Sequence, residues 1–421
     1  YTDLLFYDPV AGQGEIYTTD GSGNIALLKA SSGWRRTWSM IVPGNFNGDG
    51  YTDLLFYDPV AGQGEIYTTD GSGNIALLKA SSGWRRTWSA IVPGNFNGDE
   101  YTDLLFYDPV AGQGEIYTTD GSGNIALLKA SSGWRRTWSM IVPGNFNGDG
   151  YTDLHFYDPT AGEGEFYTTD GSGNIGFLSG SDGWRRTWSI IVPGDFNDGT
   201  DSPAWPRDDE DGSVVEPGDD ENGYVEPSGT GDVYTDLLFY DPTAGEGEFY
   251  SVDESGNIRF LQGSDGWRRT WSIILPGNFN GDGFTDLLFY DPAAGQGEFY
   301  ATDGTGNVRL MKASDGWRRT WSTIVPGDFN GDGFTDLLFY DPAAGQGEFY
   351  ATDGTGNVRL MKASDGWRRT WSIIVPGDFN DDGRTDLLFY DPTAGEGEFY
   401  STDESGNVRL MRASDGWRRT W

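Results

Sequence analysis

A stretch of fifty residues, YTDLLFYDPVAGQGEIYTTDGSGNIALLKASSGWRRTWSMIVPGNFNGDG, recurs along the whole chain. A chain written this way buries a core only by stacking copies of one small unit. Copies begin at Tyr1, Tyr51, Tyr101 and Tyr151, and again at Tyr234, Phe284, Phe334 and Arg384. Copies one and three are identical, as recent duplication would leave them, so identity among copies does not mark which residues matter. Between the two series, Asp198 to Thr230 carries eleven acidic residues against one Arg, with four Pro. That composition predicts a solvated, extended linker. The expected organisation is four repeats over 1–197, the linker over 198–230, and four repeats over 231–421.

Each copy has four short runs of strand composition: Leu4 to Asp8, Glu15 to Thr19, Ile25 to Ala30 and Trp38 to Val42. Each is rich in β-branched or aromatic residues and is bounded by turn signals such as Asp8-Pro9, Asp20-Gly21 and Pro43-Gly44. Helical periodicity is absent. Four strands per repeat predict an all-β chain, a β-propeller of eight four-stranded blades, over the alternative of a linear solenoid. One eight-bladed ring and two four-bladed units are both compatible with the count. The Trp38-to-Val42 type occurs seven times and the other three eight times, so one blade is expected to lack its first strand.

Between the fourth run of one copy and the first run of the next lies Asn45-Phe46-Asn47-Gly48-Asp49-Gly50-Tyr51-Thr52-Asp53. Side-chain oxygens fall at positions 1, 3, 5 and 9, with Gly at position 6, where a tight loop needs positive φ. Asn45, Asn47, Asp49 and Asp53, with the Tyr51 carbonyl, can converge on one hard cation, which is calcium chemistry. An EF-hand fails, because position 12 is Phe56 rather than Glu and no helices flank the loop. The competing reading is an Asx-rich turn that binds nothing. The set recurs at Asn95, Asn97, Asp99 and Asp103; at Asn145, Asn147, Asp149 and Asp153; and at Asn278, Asn280, Asp282 and Asp286. Two further loops, Asp328, Asn330, Asp332 and Asp336, and Asp378, Asn380, Asp382 and Asp386, bring a third carboxylate and are expected to hold Ca²⁺ more tightly. Glu100 stands where the others have Gly, so strain is expected there.

The run PGDFNGDGFTDLLFYD resembles the FG-GAP or VCBS repeat of integrin α propellers and of secreted propellers that include a fungal lectin. The resemblance covers all eight copies; the GWRRTW segment lies outside the family pattern. It implies that the loop joins the first and second strands of a blade, and that Asn45, Asn47, Asp49, Asp53 and their equivalents match the family's calcium ligands. In that register the linker splits one loop, between Asp195-Phe196-Asn197 and Gly231-Asp232-Val233-Tyr234-Thr235-Asp236. Either the two ends still meet, or that site is lost.

Every copy also contains Gly-Trp-Arg-Arg-Thr-Trp, and the eight pairs with Trp205 account for all 17 Trp. If the segment is extended, Trp34, Arg36 and Trp38 share a face and the guanidinium lies between two indoles. Two roles compete: packing in the wedge between blades, and one indole of each pair left exposed to stack on a sugar. Glu15 and Tyr17 share a face of the second run, read as a solvated face. SDGWRRTW has the wrong spacing for a sialidase Asp-box.

Composition narrows the partners. With 28 Lys+Arg against 65 Asp+Glu the net charge is −37, the wrong sign for nucleic acid or an anionic membrane. The linker supplies −10 of this, and calcium in the loops would offset much of the remainder. Absence of Cys removes thiolate chemistry and disulfides, and His155 is the single histidine. No apolar run is long enough to span a membrane, and Tyr1-Thr2-Asp3-Leu4 is no signal peptide, which fits a processed or truncated start. Catalysis needs a constellation unique to one copy, and the unique polar strand substitution His155, in place of Leu, has no evident partner. The chain is therefore expected not to be an enzyme. It reads as a secreted, calcium-stabilised binding module, multivalent for carbohydrate or an extracellular glycoprotein. The rival is a structural or adhesive protein that binds protein or self-associates.

Overall fold

The computed structural model describes residues 4–19, 25–69, 75–99, 101–194, 196, 235–252, 258–303, 308–355, 357–380, 382–403, 405, 407–415, 417 and 419. Linker residues 198–230 and Glu100 lie outside the described residues, and so do the expectations placed on them. The described residues hold strands and no helix, so no helix is long and apolar enough to cross a membrane. The strands form eight antiparallel blades of a β-propeller, seven of four strands and one of three.

The second blade shows the pattern. Its strands are Met40–Gly44, Asp53–Asp58, Gln63–Thr68 and Ala76–Ser82, each hydrogen-bonded to the next in chain order. The strand Asp53–Asp58 is buried throughout, as befits a β-rich run with neighbours on both edges and both faces, whereas Ala76–Ser82 is largely exposed. A bulge between Ile66 and Tyr67 recurs at the equivalent place in the other blades. The first strand runs Met40–Gly44 rather than Trp38 to Val42. The GWRRTW segment before it turns instead of extending, starting from Gly33 at φ 84°. The short sheet is Leu4–Asp8, Gln13–Thr19 and Ile25–Ser32, and among the described residues it has no first strand, in line with the sequence count.

The chain divides into two compact units, one of Tyr1–Arg36, Thr270–Thr302 and Val308–Trp421, the other of Thr37–Arg269 and Asp303–Asn307. In the second of these, Val42, Phe46, Leu55, Tyr57 and Ile66 of one blade pack with Trp88, Ile91, Leu104 and Phe106 of the next. In the first, Phe379, Leu388, Tyr390, Phe399 and Trp417 of the last blade pack with Leu4, Phe6 and Tyr17 of the three-stranded one. Each core therefore lies between successive blades, where apolar faces too small to stand alone are joined.

A glycine in the third strand makes the wedge fit. A Cβ on Gly114 would lie 2.1 Å from Cη2 of Trp134, and the equivalent glycines meet their own indoles in the same way. Gly114→Ala is expected to displace Trp134 and cost roughly 1–3 kcal/mol, read as a lower denaturation midpoint with altered near-UV dichroism. An unchanged midpoint would show that the indole has room.

Candidate functional site

The candidate loop joins the first and second strands of each blade, with Gly44 paired to Asp53 at its base, as the family resemblance implies. Phe46 at position 2 is fully buried and pins the loop to the core. Glycine at position 6 has positive φ at Gly50, Gly150, Gly283, Gly333 and Gly383, between 79° and 95°. The position-9 carboxylate organises the turn. Asp53 Oδ2 accepts from the amides of Phe46 and Asn47 at 2.9 and 3.1 Å, and Oδ1 accepts from Thr69 at 3.0 Å. Asn45, Asn47 and Asp49 each accept a nearby backbone N–H, so the first half of the loop is a chain of Asx turns.

This geometry brings the sequence-selected oxygens into one small loop, and among the described residues it does not converge three or more acidic or His side chains on a metal-holding point. The donor set is hard oxygen throughout and fits calcium by kind. Burial pushes the Asp53 carboxyl up to about 6, despite the amides of Thr69 and Phe46, and pushes Asp103, Asp153, Asp286, Asp336 and Asp386 up to about 7. In the two loops with a third carboxylate, Asp336 Oδ2 and Asn380 Oδ1 are buried with no hydrogen-bond partner. Buried oxygens of this sort are what a cation would satisfy.

Successive loops are stitched together. Thr102 donates its amide to the Asn45 carbonyl at 2.8 Å, and its hydroxyl accepts from the Asn45 amide at 2.9 Å. The same pair links Asn95 to Thr152, Asn145 to Thr235 and Asn278 to Thr335. The split loop keeps its anchor: Phe196 N–H donates to Asp236 Oδ2 at 2.8 Å and Gly194 pairs with Asp236, so the two ends do meet. Asp195 and Asn197 lie outside the described residues.

The tryptophan segment is mainly packing. Trp34 and Trp38 are 9% and 6% exposed, while Arg36 is exposed. In five described pairs the two indoles touch edge to face, as Trp84 to Trp88 at 5.4 Å and Trp367 to Trp371 at 5.4 Å, with no guanidinium between them. The turn in GWRRTW is the reason, since it removes the alternation that would have put the second Arg on their face. That Arg instead folds over the preceding β-turn, as Arg186 does on the Ala161 carbonyl. Among the described residues the second indole of a pair is buried, Trp371 lying 4.3 Å from Phe389 of the next blade. The first indole is half-buried at Trp84, Trp134, Trp267, Trp317 and Trp367. Trp367 lines a groove of about 130 Å³ with Lys362 and Ser364 of its own blade and Phe389, Tyr400 and Asn407 of the next. At the equivalent place between two other blades, Lys79 Nζ donates to Asn124 Oδ1 at 2.9 Å.

Glu15 accepts from the Tyr17 hydroxyl at 2.7 Å, and in the equivalent pair of the third blade the two belong to a clasp, not to a solvated face. Glu115 is 8% exposed; its Oε2 accepts from Tyr117 at 2.6 Å and its Oε1 accepts from Arg85 of the preceding blade at 3.1 Å. The Asp at the end of the second strand forms a further clasp. Burial works against the Asp108 charge, but the Thr87 hydroxyl, the amides of Ala111 and Val110, and Arg85 outweigh it and hold its pKa below the usual value.

The model of the FG-GAP-like repeat matches residues 278–339 and 328–389. FG-GAP-like repeats thus lie at these two places in the β-propeller. No curated protein matches the sequence. Among solved structures, a protein from Lactobacillus plantarum is similar at 10% identity and TM-score 0.48, over 87% of this chain and 97% of its own. A putative 6-phosphogluconolactonase from Bacteroides fragilis is similar at 10% identity and TM-score 0.46, over 87% and 95%. The periplasmic gluconolactonase of Pseudomonas aeruginosa is similar at 13% identity and TM-score 0.46, over 92% and 98%. Similar propellers thus include proteins named as enzymes, which overturns the expectation that this chain is not one. At these identities and TM-scores the likeness assigns no activity to this chain.

His155 stands where the equivalent strands carry Leu. It is fully buried against Phe166 at 4.4 Å and Trp184 at 5.5 Å, and neither ring nitrogen has a hydrogen-bond partner. Burial alone lowers its pKa to about 3. Because that lies below the unfolded value of 6.5, its protonation favours the unfolded chain, and stability is lost as pH falls below about 6.5. His155→Leu is expected to add about 1–3 kcal/mol by removing the unsatisfied nitrogens and to flatten the loss in mild acid. A variant no more stable, with the same acid profile, would contradict this.

Proposed function

We propose that this chain is a calcium-stabilised propeller that binds carbohydrate, its sites repeated in the grooves between successive blades. The groove at Trp367 carries the reading. It offers aromatic surface from Trp367, Phe389 and Tyr400 beside the polar ends of Lys362, Ser364 and Asn407. A sugar presents an apolar ring face and a rim of hydroxyls, and this lining supplies a counterpart for each. Repetition supports it, since weak sites on one rigid body gain strength by avidity on a surface rich in glycans. In the loops, Asn45, Asn47, Asp49, the Tyr51 carbonyl and Asp53, with their equivalents, would hold Ca²⁺. The ion would neutralise the buried carboxylate and fix the turn that joins the first and second strands of a blade. The reading includes an extracellular setting, where modules of this kind meet calcium at the needed concentration.

One observation favours a second reading, protein binding. An apolar side chain is exposed at the same place in the outer strand of each repeat, including Leu27, Leu77, Leu127, Phe177 and Phe260, the last two at 62% and 53%.

A glycan array probed with the full chain in millimolar Ca²⁺, and again in chelator, tests the first reading. Binding to a defined set of glycans that weakens with Trp367→Ala is the expected result. No glycan bound by folded, calcium-loaded protein would remove the carbohydrate reading and leave the calcium reading standing.

A further inference from the structure

The loops 278–286 and 328–336 touch at two points, and both contacts come from the stretch of the second loop that lies between Asp332 and Asp336. Phe334 and Thr335 hold positions 7 and 8 of that loop. The Thr335 amide donates to the Asn278 carbonyl at 2.9 Å, and the Thr335 hydroxyl accepts from the Asn278 amide at 3.0 Å. The backbone of the first donor of one loop is thus held by the other loop. The Phe334 ring reaches the opposite end, the tip at Gly281, which stands between the donors Asn280 and Asp282. A Cβ on Gly281 would overlap Cε1 of that ring, and a Cβ on Gly354, in a turn of Phe334's own blade, would lie 3.1 Å from the same atom. The tip is exposed, and its amides at Gly281 and Asp282 donate to the side chains of Asn278 and Asn280, which belong to the donor set themselves. The same two contacts recur with Tyr101 on Gly48 and Thr102 on Asn45, and with Tyr151 on Gly98 and Thr152 on Asn95.

We propose that Phe334 and Thr335 are positioning residues that couple the two loops, so that calcium held in 328–336 raises the calcium affinity of 278–286, an inference resting on the calcium reading of these loops. The Phe334 carbonyl and the side chains of Asp332 and Asp336 are donors of the second loop, so committing them to an ion fixes the backbone on both sides of the ring and of Thr335. With that backbone fixed, the ring stays on Gly281 and Thr335 stays on Asn278. The first loop then has less freedom to lose when its own donors close on an ion. Linkage makes the effect reciprocal. Charge sets the order of filling: 328–336 brings three carboxylates and 278–286 brings two, so the first to fill prepares the second. One loop further on, the Thr385 amide donates to the Asp328 carbonyl at 2.7 Å, but the flexible Arg384 takes the aromatic's place against Gly331. Coupling between 378–386 and 328–336 is therefore the weaker of the two.

Amide hydrogen exchange of the full chain, followed peptide by peptide across a calcium titration, tests the coupling. The segment 274–284 can be told from the other copies because Leu275 stands where they have Val. The paired substitution Asp328→Asn and Asp332→Asn leaves Asp336 as the one carboxylate of the second loop and keeps side-chain oxygens for the amides of Gly331 and Phe334. In that variant the calcium midpoint for protection of 274–284 is expected to rise about fivefold or more. In a Phe334→Ala, Thr335→Val background, which lacks both contacts, the same pair should leave the midpoint where the background sets it. Because that background can loosen the joint, the comparison with the contacts intact decides alone: protection of 274–284 at an unmoved or lower midpoint overturns the coupling and leaves the calcium reading standing. A rise that persists undiminished without the two contacts is an effect of charge and overturns the coupling as well. No calcium-dependent protection in either loop of the folded chain removes both the coupling and the calcium reading.

Discussion

Calcium added to chelator-treated protein should raise Tm by a large step, and chelator should reverse it. The reason lies at position 9 of each loop. Asp103, Asp153, Asp286, Asp336 and Asp386 are buried carboxylates whose pKa values burial has raised to about 7, so each negative charge is held at a cost in the cation-free fold. A divalent ion bound to the folded loop offsets that cost, and at a hundredfold excess over Kd one site contributes about 2.7 kcal/mol. Several equivalent loops act on blades that share cores, so their gains reach the same unfolding transition. The loops with three carboxylates, ending at Asp336 and Asp386, should fill first, because Asp336 Oδ2 and Asn380 Oδ1 await a partner. Asp386→Asn should therefore remove more of the calcium response than Asp53→Asn. Differential scanning calorimetry of both variants, with and without calcium, decides the point; equal responses would mean that the third carboxylate adds nothing.

Trp371→Ala is expected to cost about 3–5 kcal/mol. The indole is 6% exposed and lies 4.3 Å from Phe389, 5.4 Å from Trp367 and 6.1 Å from Tyr340. It therefore belongs to two blades at once, in a core with Val325, Phe349 and Leu387. Removing it leaves a cavity at the joint that no single blade can close. Arg369, two residues before it, reaches only the Ala344 carbonyl at 3.5 Å from an exposed position, and Arg369→Ala should change stability by no more than about 0.5 kcal/mol. Urea denaturation of the pair supplies the comparison. Similar midpoints would mean that the wedge is not where the blades are held together.

Much of this arrangement is legible in the residues themselves. The repeat and the strand composition around Leu4 to Asp8 carry the blade, because local β-preference and turn signals agree at every boundary. Gly50 is readable as a positive-φ position because the loop has only so many ways to return. The missing first strand follows from counting. What escaped is set by the next copy in space. Nothing near Asn45 in sequence indicates that Thr102, 57 residues on, will hold its backbone, since that bond exists only once two blades are stacked. The Arg85–Glu115 clasp is hidden for the same reason, so Glu15 and Tyr17 read as a wet face when taken alone. GWRRTW misleads in another way. Its aromatic content looks like a strand, but Gly83 turns the chain, and direct contact between Trp84 and Trp88 replaces the alternation that would have set Arg86 between them.

The claim on which the rest depends is that the repeated loops are cation sites rather than Asx turns complete in themselves. Native mass spectrometry of the full chain, stripped with chelator and returned to calcium, counts the ions directly. The account predicts at least one bound calcium for each of the two three-carboxylate loops, rising toward one per intact loop as calcium increases, with Asp336→Asn and Asp386→Asn each lowering the first step. A folded chain that retains no calcium at millimolar concentration would contradict it.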